Sequence, residues 1–473
     1  MRAIAISMNK PLGSSAILLG AITLLFPFSG MGQDFFRDLG TSRSSGGIGP
    51  VVPSDYTYEA GSPSGLRPLR PGQEMTTVEQ VEESEKYNFA AGPLRFSIAA
   101  GVGLEWNDNI TLSDHHRESD FVFRPVLDLD ARWRFTELNT LRFNVGASYA
   151  KYFNHTEFDS DGVLFSPNSE LALTFYVGSI RFTVRDRFSY QEDTFDIPVL
   201  SNVATYKRYE NQAGVEMDWQ VNQAFDLPIG YDHYNLWTNG GAFKEEERSI
   251  DTVYARPGVQ LTPALKVGLS AAYSFIDFSA SDRSDGDNLL IGPFMEIQLS
   301  PYTNLYLEAG FQDLTFNGTS NFDNEVLNLV APGQAQFARG SLRDDEDSST
   351  WYAKFEIQNK PSEFFRHRLF GSKTSELGFV SNFYELYHIE YDAEWKLTEK
   401  TEVGPTLFYE YYRTSGNGDR EHAHRFGAAF GIRHHLTNSI TLGLDYRFVL
   451  KDSNIPDADY YQNLVFLSAY YKF

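Results

Sequence analysis

The chain has 473 residues, with 40 Lys and Arg against 63 Asp and Glu, a formal net charge of −23, no cysteine and a mean hydropathy of −0.36. The missing cysteine excludes disulfide scaffolds, zinc–thiolate sites, thiol nucleophiles and lipoprotein acylation. The acidic balance excludes a phosphate-neutralising nucleic-acid binder, and 38 Phe with 27 Tyr exclude a disordered chain.

Residues 1–32 form a secretory signal. Arg2 and Lys10 precede an apolar stretch from Ala16 to Phe28, and Gly30 and Gly32 prepare cleavage before Gln33. That stretch is too short to cross a bilayer core of about 30 Å. Residues 33–93 are rich in Pro, Gly and Ser and read as a flexible periplasmic segment, with a short acidic helix over Met75–Tyr87 (MTTVEQVEESEKY).

From Leu94 to the end the texture is period-two alternation. Leu94, Phe96, Ile98, Ala100, Val102, Leu104 and Trp106 share one face; Arg95, Ser97, Gly101, Gly103 and Glu105 share the other. In 121–135, Phe121, Phe123, Leu127, Leu129 and Trp133 oppose Arg124, Asp128, Asp130, Arg132 and Arg134. Sixteen more such segments follow, among them 139–153, 250–261, 363–371 and 462–473. Strands of soluble proteins average about 5 or 6 residues, whereas about 9–11 tilted residues cross a membrane.

The connections alternate between short and long. Several short ones repeat one local form, as in WRFTELNT (133–140), VQLTPAL (259–265), IQLSPYTNL (297–305) and WKLTEKTEV (395–403). The predicted fold is all-β: an antiparallel up-and-down transmembrane barrel over 94–473. Eighteen strands are expected, sixteen being the alternative, with short periplasmic turns and long external loops. Trp106, Trp133, Trp219, Trp237, Trp351, Trp395, Tyr470 and Tyr471 are expected in the interfacial girdles. Lys151, Asp186, His233 and Arg413 fall on apolar faces, and are expected near interfaces or bulges. Pro125, Pro257, Pro293 and Pro405 recur inside strands, as a device at strand ends or bulges. The chain closes on Val465, Leu467, Ala469, Tyr471 and Phe473, the aromatic-ended strand that a barrel assembly machinery reads.

The polar faces supply the pore-lining candidates. They are Arg124, Arg132, Arg134, Arg142, Arg181, Arg185, Arg187 and Arg256, opposed by Glu216, Asp218 and Glu296. Opposite charges on neighbouring strands stiffen a wall and set the field of a pore. The 315–349 loop is the longest; it either folds inward as a constriction or stays outside. No GxSxG, HExxH or P-loop sequence occurs, so the expectation is no enzyme, no cofactor and no metal site.

The residues WNDNITLSD (106–114) and SDFVFRPVLDLDARW (119–133) resemble the opening of the outer-membrane β-barrel porin type 2 group, with Asp108, Asn109, Ile110 and Pro125 matching. The resemblance implies a barrel in the outer membrane of a Gram-negative-type bacterium, with outer-membrane lipid as its surroundings. The expected function is a channel for small hydrophilic solutes. The alternatives are a barrel of exopolysaccharide export or envelope assembly, with a polysaccharide or periplasmic partner reached through 33–93, or a structural barrel with a blocked lumen.

Overall fold

The computed structural model describes residues 87, 89–167, 169–194, 197–239, 241–322, 342–416 and 420–473. The signal, nearly all of the expected periplasmic segment and 323–341 of the longest loop lie outside these residues.

Eighteen strands form the wall. They are β1 Leu94–Asn107, β2 Asp120–Arg134, β3 Thr140–Ser148 with Lys151–Tyr152, β4 Glu170–Val177 after Leu164–Phe165, β5 Ile180–Gln191 and β6 Arg208–Gln220. Next come β7 Phe225–Thr238, β8 in two pieces, Arg248–Ala255 and Gly258–Thr262, β9 Leu265–Phe278, β10 Gly286–Ser300, β11 Thr303–Phe316 and β12 Ser348–Ser362. The last are β13 Phe365–Leu377, β14 Phe383–Thr398, β15 Thr401–Thr414, β16 His422–His435, β17 Ile440–Ser453 and β18 Tyr460–Lys472. Each pairs antiparallel with its sequence neighbour, and β18 returns to β1, Leu464–Lys472 against Ala99–Asn107, so the ring is closed. A short leading strand, Phe89–Ala91, pairs with Leu94–Phe96 on the same edge of β1, where the wall begins earlier than expected. The Phe473 amide donates to the Ile98 carbonyl, so the chain terminus abuts this leading strand.

The outer face is greasy and uncovered. Phe121, Leu407, Leu467 and Trp351 are 47%, 54%, 51% and 56% exposed. On the same strands Arg124, Glu410 and Ser468 face the other way and are buried. An apolar outside around a polar inside is the reverse of a soluble barrel. In hydrocarbon every backbone polar group needs an internal partner, which a closed ring supplies. Trp106, Trp133, Trp219, Trp237, Trp351 and Tyr471 are exposed on the outside, and Trp395 shares that face. Tyr470 departs from expectation. Consecutive strand residues alternate, so its ring turns into the lumen and lies over Gly101, where any Cβ would come within 2.5 Å of it.

The proline device is real, but it lies in mid-strand. Pro125, Pro293 and Pro405 each interrupt the rungs on one side and Pro257 on both, and the register resumes unshifted beyond them. Proline lacks the N–H of that rung, so one missing bond suffices and no bulge is needed. At Pro125 and Pro257 the gap divides β3 and β8 into two pieces each. The register shifts fall instead at the repeated turns, between Gln260 and Thr262, Gln298 and Ser300, and Lys396 and Thr398. There the Thr262, Ser300 and Thr398 hydroxyls accept the Ala264, Tyr302 and Lys400 amides at 3.3, 3.1 and 3.2 Å. The recurring Thr or Ser is therefore a local turn cap.

Candidate functional site: the lumen

All eleven pore-lining candidates share the inner face, but they do different work. Arg181 reaches Asp218 at 3.0 Å and Glu216 at 3.8 Å on the adjoining strand. Arg187 Nε lies 2.7 Å from Glu170, and Arg256 lies 3.2 Å from Glu296. Arg185 skips a strand to meet Asp232 on β7 at 3.1 Å. Gly214 between them permits it, since a Cβ there would stand 1.9 Å from the Asp232 carboxylate. Arg124 is buried against Glu105 at 2.8 Å and Asp193 at 3.3 Å. These pairs tie the wall together across strands. Arg132, Arg134 and Arg142 lie together at the periplasmic end.

The four charges expected on apolar faces each have a polar neighbour. Lys151 meets Asp159, the Asn211 amide donates to Asp186 at 2.6 Å, His233 lies 2.7 Å from Asp251, and Arg413 lies 3.7 Å from Glu385. Lys151 follows the ladder gap at Pro125.

The external half of the lumen is occupied by the chain itself. The β5–β6 loop folds inward, and its Ile197, Val199, Leu200, Val203 and Tyr206 pack with Phe243, Phe379, Tyr384, Leu386 and Tyr412. Its tip reaches the β17–β18 side. There Ser201 Oγ donates to the Ala458 carbonyl at 2.8 Å, and Lys451 Nζ donates to Ser201 Oγ at 2.8 Å. From the other wall, the upper end of β13 bends in, so that Leu377 and Phe383 pack against Tyr234, Leu236, Ile250, Ile276, Phe278 and Leu314. The two elements meet where Phe379 sits edge-on to Tyr206, centroids 5.3 Å apart.

Buried polar contacts hold this apolar bridge. β12 and β13 stop pairing at Ala353–Lys373. Above that point the Gln312 side chain acts as the missing rung: its amide donates to the Ser375 carbonyl and its carbonyl accepts the Ser375 amide, both at 2.9 Å. Arg283 donates to the Gly378 and Phe379 carbonyls at 3.0 and 3.4 Å and pairs with Glu246 at 2.9 Å. Asp344 accepts the Asn382 amide at 2.7 Å and the Ser415 hydroxyl at 2.5 Å. At the base of the inward loop, burial raises the Glu192 carboxyl above its ordinary range, while Tyr190 donates to it at 2.6 Å.

Sequence reasoning missed Gln312, Arg283, Glu246 and Asp344. One signal for the inward loop was present: IPVLSNVATY (197–206) is too apolar for a loop facing water. Of the 315–349 loop, Ser320–Phe322 pairs with Leu342–Asp344 as a hairpin. Its Phe322 is buried and its Asp344 holds Asn382 and Ser415, so among the described residues the mouth is filled by parts of this loop together with 197–206, 243–246 and 378–382.

Among solved structures, the chain is similar to OccAB2 of Acinetobacter baumannii, with 12% identity over 80% of this chain and 98% of that one and a TM-score of 0.44. It is also similar to OccAB1 of the same organism, with 9% identity over 83% and 99% and a TM-score of 0.44. OpdQ of Pseudomonas aeruginosa matches with 10% identity over 81% and 100% and a TM-score of 0.43. No family model and no curated protein matches the chain. At such distance these likenesses carry no weight; the barrel stands on its closed hydrogen-bond ladder and its two unlike faces.

Proposed function

We propose that the protein is an outer-membrane channel for small hydrophilic solutes, held in this conformation with an apolar bridge across its external mouth. One observation carries it: a closed ring of eighteen strands, greasy outside and lined inside by charges of both signs. Rings of 16–18 strands are wide enough for an aqueous lumen. Export through the signal at 1–32, and recognition of the terminal strand ending at Phe473 by the assembly machinery, would bring it to the outer membrane of a Gram-negative-type bacterium.

The apolar bridge favours a second reading, a structural barrel with a blocked lumen. Single-channel recording separates the two. A channel opens in steps, and a variant lacking 197–203 passes larger and longer steps. If both the native protein and that variant stay silent after detergent-free insertion, the structural barrel is correct.

A further inference from the structure

Two of the charges on the lipid-facing side stand neither at an interface nor beside a bulge, contrary to the expectation from sequence. Asp186 on β5 and His233 on β7 flank Ala213 on one rung, and His233 stands opposite Asp251 on β8. Along β7, His233 is six residues above Leu227, the partner of Trp219, and four below Trp237. Along β5, Asp186 is six residues above Ile180, also a partner of Trp219, and four below Tyr190, which joins Trp237 through Tyr209. At about 3.4 Å per residue and a tilt of about 40°, both lie about 15 Å from the periplasmic girdle and about 10 Å from the external one. That depth is inside the apolar band.

Both belong to a polar island. Asn211 and Asn235 face each other one outward step above the rung, and Tyr231 lies one step below it. The Asn211 amide donates to Asp186 at 2.6 Å, the Tyr231 hydroxyl donates to Asp251 at 2.5 Å, and His233 Nδ1 lies 2.7 Å from the same carboxylate. All three contacts fall on Oδ1. Among the described residues, no partner reaches Oδ2 of either carboxylate. Val184, Phe188, Val215, Trp237 and Val253 border the island and are exposed. Across the ring, the lipid-facing Ile389, Leu407, Phe430, Leu444 and Leu467 are exposed and apolar. Acyl chains offer a carboxylate no donor, and ionisable groups at this depth are costly and mark sites of contact.

We propose that the β5–β8 face is an interface within the membrane, and that its occupant is a second copy of this chain. The choice of partner is chemical. A covering surface has to bring donors to Asp186 and Asp251 and polar partners to the Asn235 amide, and to do so from its own lipid-facing band. This island carries both kinds of group at that depth: carboxylates beside amides, a phenol and an imidazole, inside an apolar border. It is complementary to itself, as a symmetric contact between identical surfaces requires. The proposal concerns the outer wall and holds whether or not the lumen conducts.

The test uses the full mature chain, which lacks cysteine. Ala213→Cys puts one thiol at the centre of the island, and Leu444→Cys puts one on another side of the ring. In phosphatidylcholine vesicles at a high lipid-to-protein ratio, mild oxidation is expected to cross-link two copies of the Ala213→Cys protein several-fold faster than two copies of the Leu444→Cys protein. A further variant carries Asp186→Leu, Asn211→Leu, His233→Leu and Asp251→Leu together, side chains that lipid accepts. With heat-modifiable migration intact, it is expected to sediment as a monomer in detergent where the native chain sediments as an oligomer. Three results overturn the proposal: a native chain that sediments as a monomer and whose two cysteine variants cross-link at one rate; a leucine variant that associates as the native chain does; or Ala213→Cys cross-linking in whole outer membranes to a different protein alone. If the leucine variant fails to fold, the two cysteine variants decide.

Discussion

The two halves of the lumen are built from the same alternating strands and hold opposite contents. The external half contains Leu200, Leu314, Tyr352 and Tyr412, all with at most 0% exposure, gathered around a bridge made by loops. The periplasmic half holds arginines in a row and short capped turns. Strand rhythm decides only that a side chain points inward. What it meets there depends on the connections: long external loops carry apolar residues that fold back, and the short turns at the other end have nothing to insert.

That contrast can be broken most drastically by removing Ile197–Val203. The expected result is a several-fold rise in single-channel conductance with the ring intact, read as unchanged heat-modifiable migration. Unchanged conductance would mean that the external half does not limit the lumen. Next in size is Arg283→Ala, which leaves Glu246 buried without this partner and two carbonyls without this donor. Breaking such a buried pair costs about 3–5 kcal/mol. Faster amide exchange across 378–383, with none at the periplasmic turns, is the expected signature.

Gln312→Ala should be milder. It removes two buried hydrogen bonds to Ser375, worth about 1–3 kcal/mol when the partner groups are left unsatisfied. The upper end of β13 is expected to loosen while its paired stretch below Lys373 stays protected from exchange. The smallest effect concerns pH. Burial raises Glu192 in the packed loop, and a released loop returns it to the ordinary carboxylate value. Protons therefore favour the packed form: its stability grows as pH falls through the raised pKa and declines as pH rises through it. Open probability should drop modestly on acidification, and Glu192→Gln should flatten that dependence.

The sequence was legible wherever a rule acts over a few neighbouring residues. Val465, Leu467 and Phe473 announce an outward face because alternation is a local property of extended backbone. The Thr and Ser of the repeated turns were visible as a pattern, and their hydroxyl caps explain it. The ion partners of Arg181 and Arg187 were within reach of the same logic, since adjoining strands bring them together. Arg185 was not: its partner lies two strands away, and only the missing side chain at Gly214 opens the path.

By itself, then, the sequence determined the class of fold, a strand count of eighteen or sixteen and nearly every residue's facing, Tyr470 being an exception, because a two-residue period and the need to pair every backbone group in hydrocarbon leave few choices. The tertiary structure alone decided that the 192–207 loop and the end of β13 meet inside the mouth. Those contacts join residues such as Phe379 and Tyr206, far apart in the chain. No local periodicity encodes a meeting that depends on the curvature of the closed ring bringing opposite walls within reach.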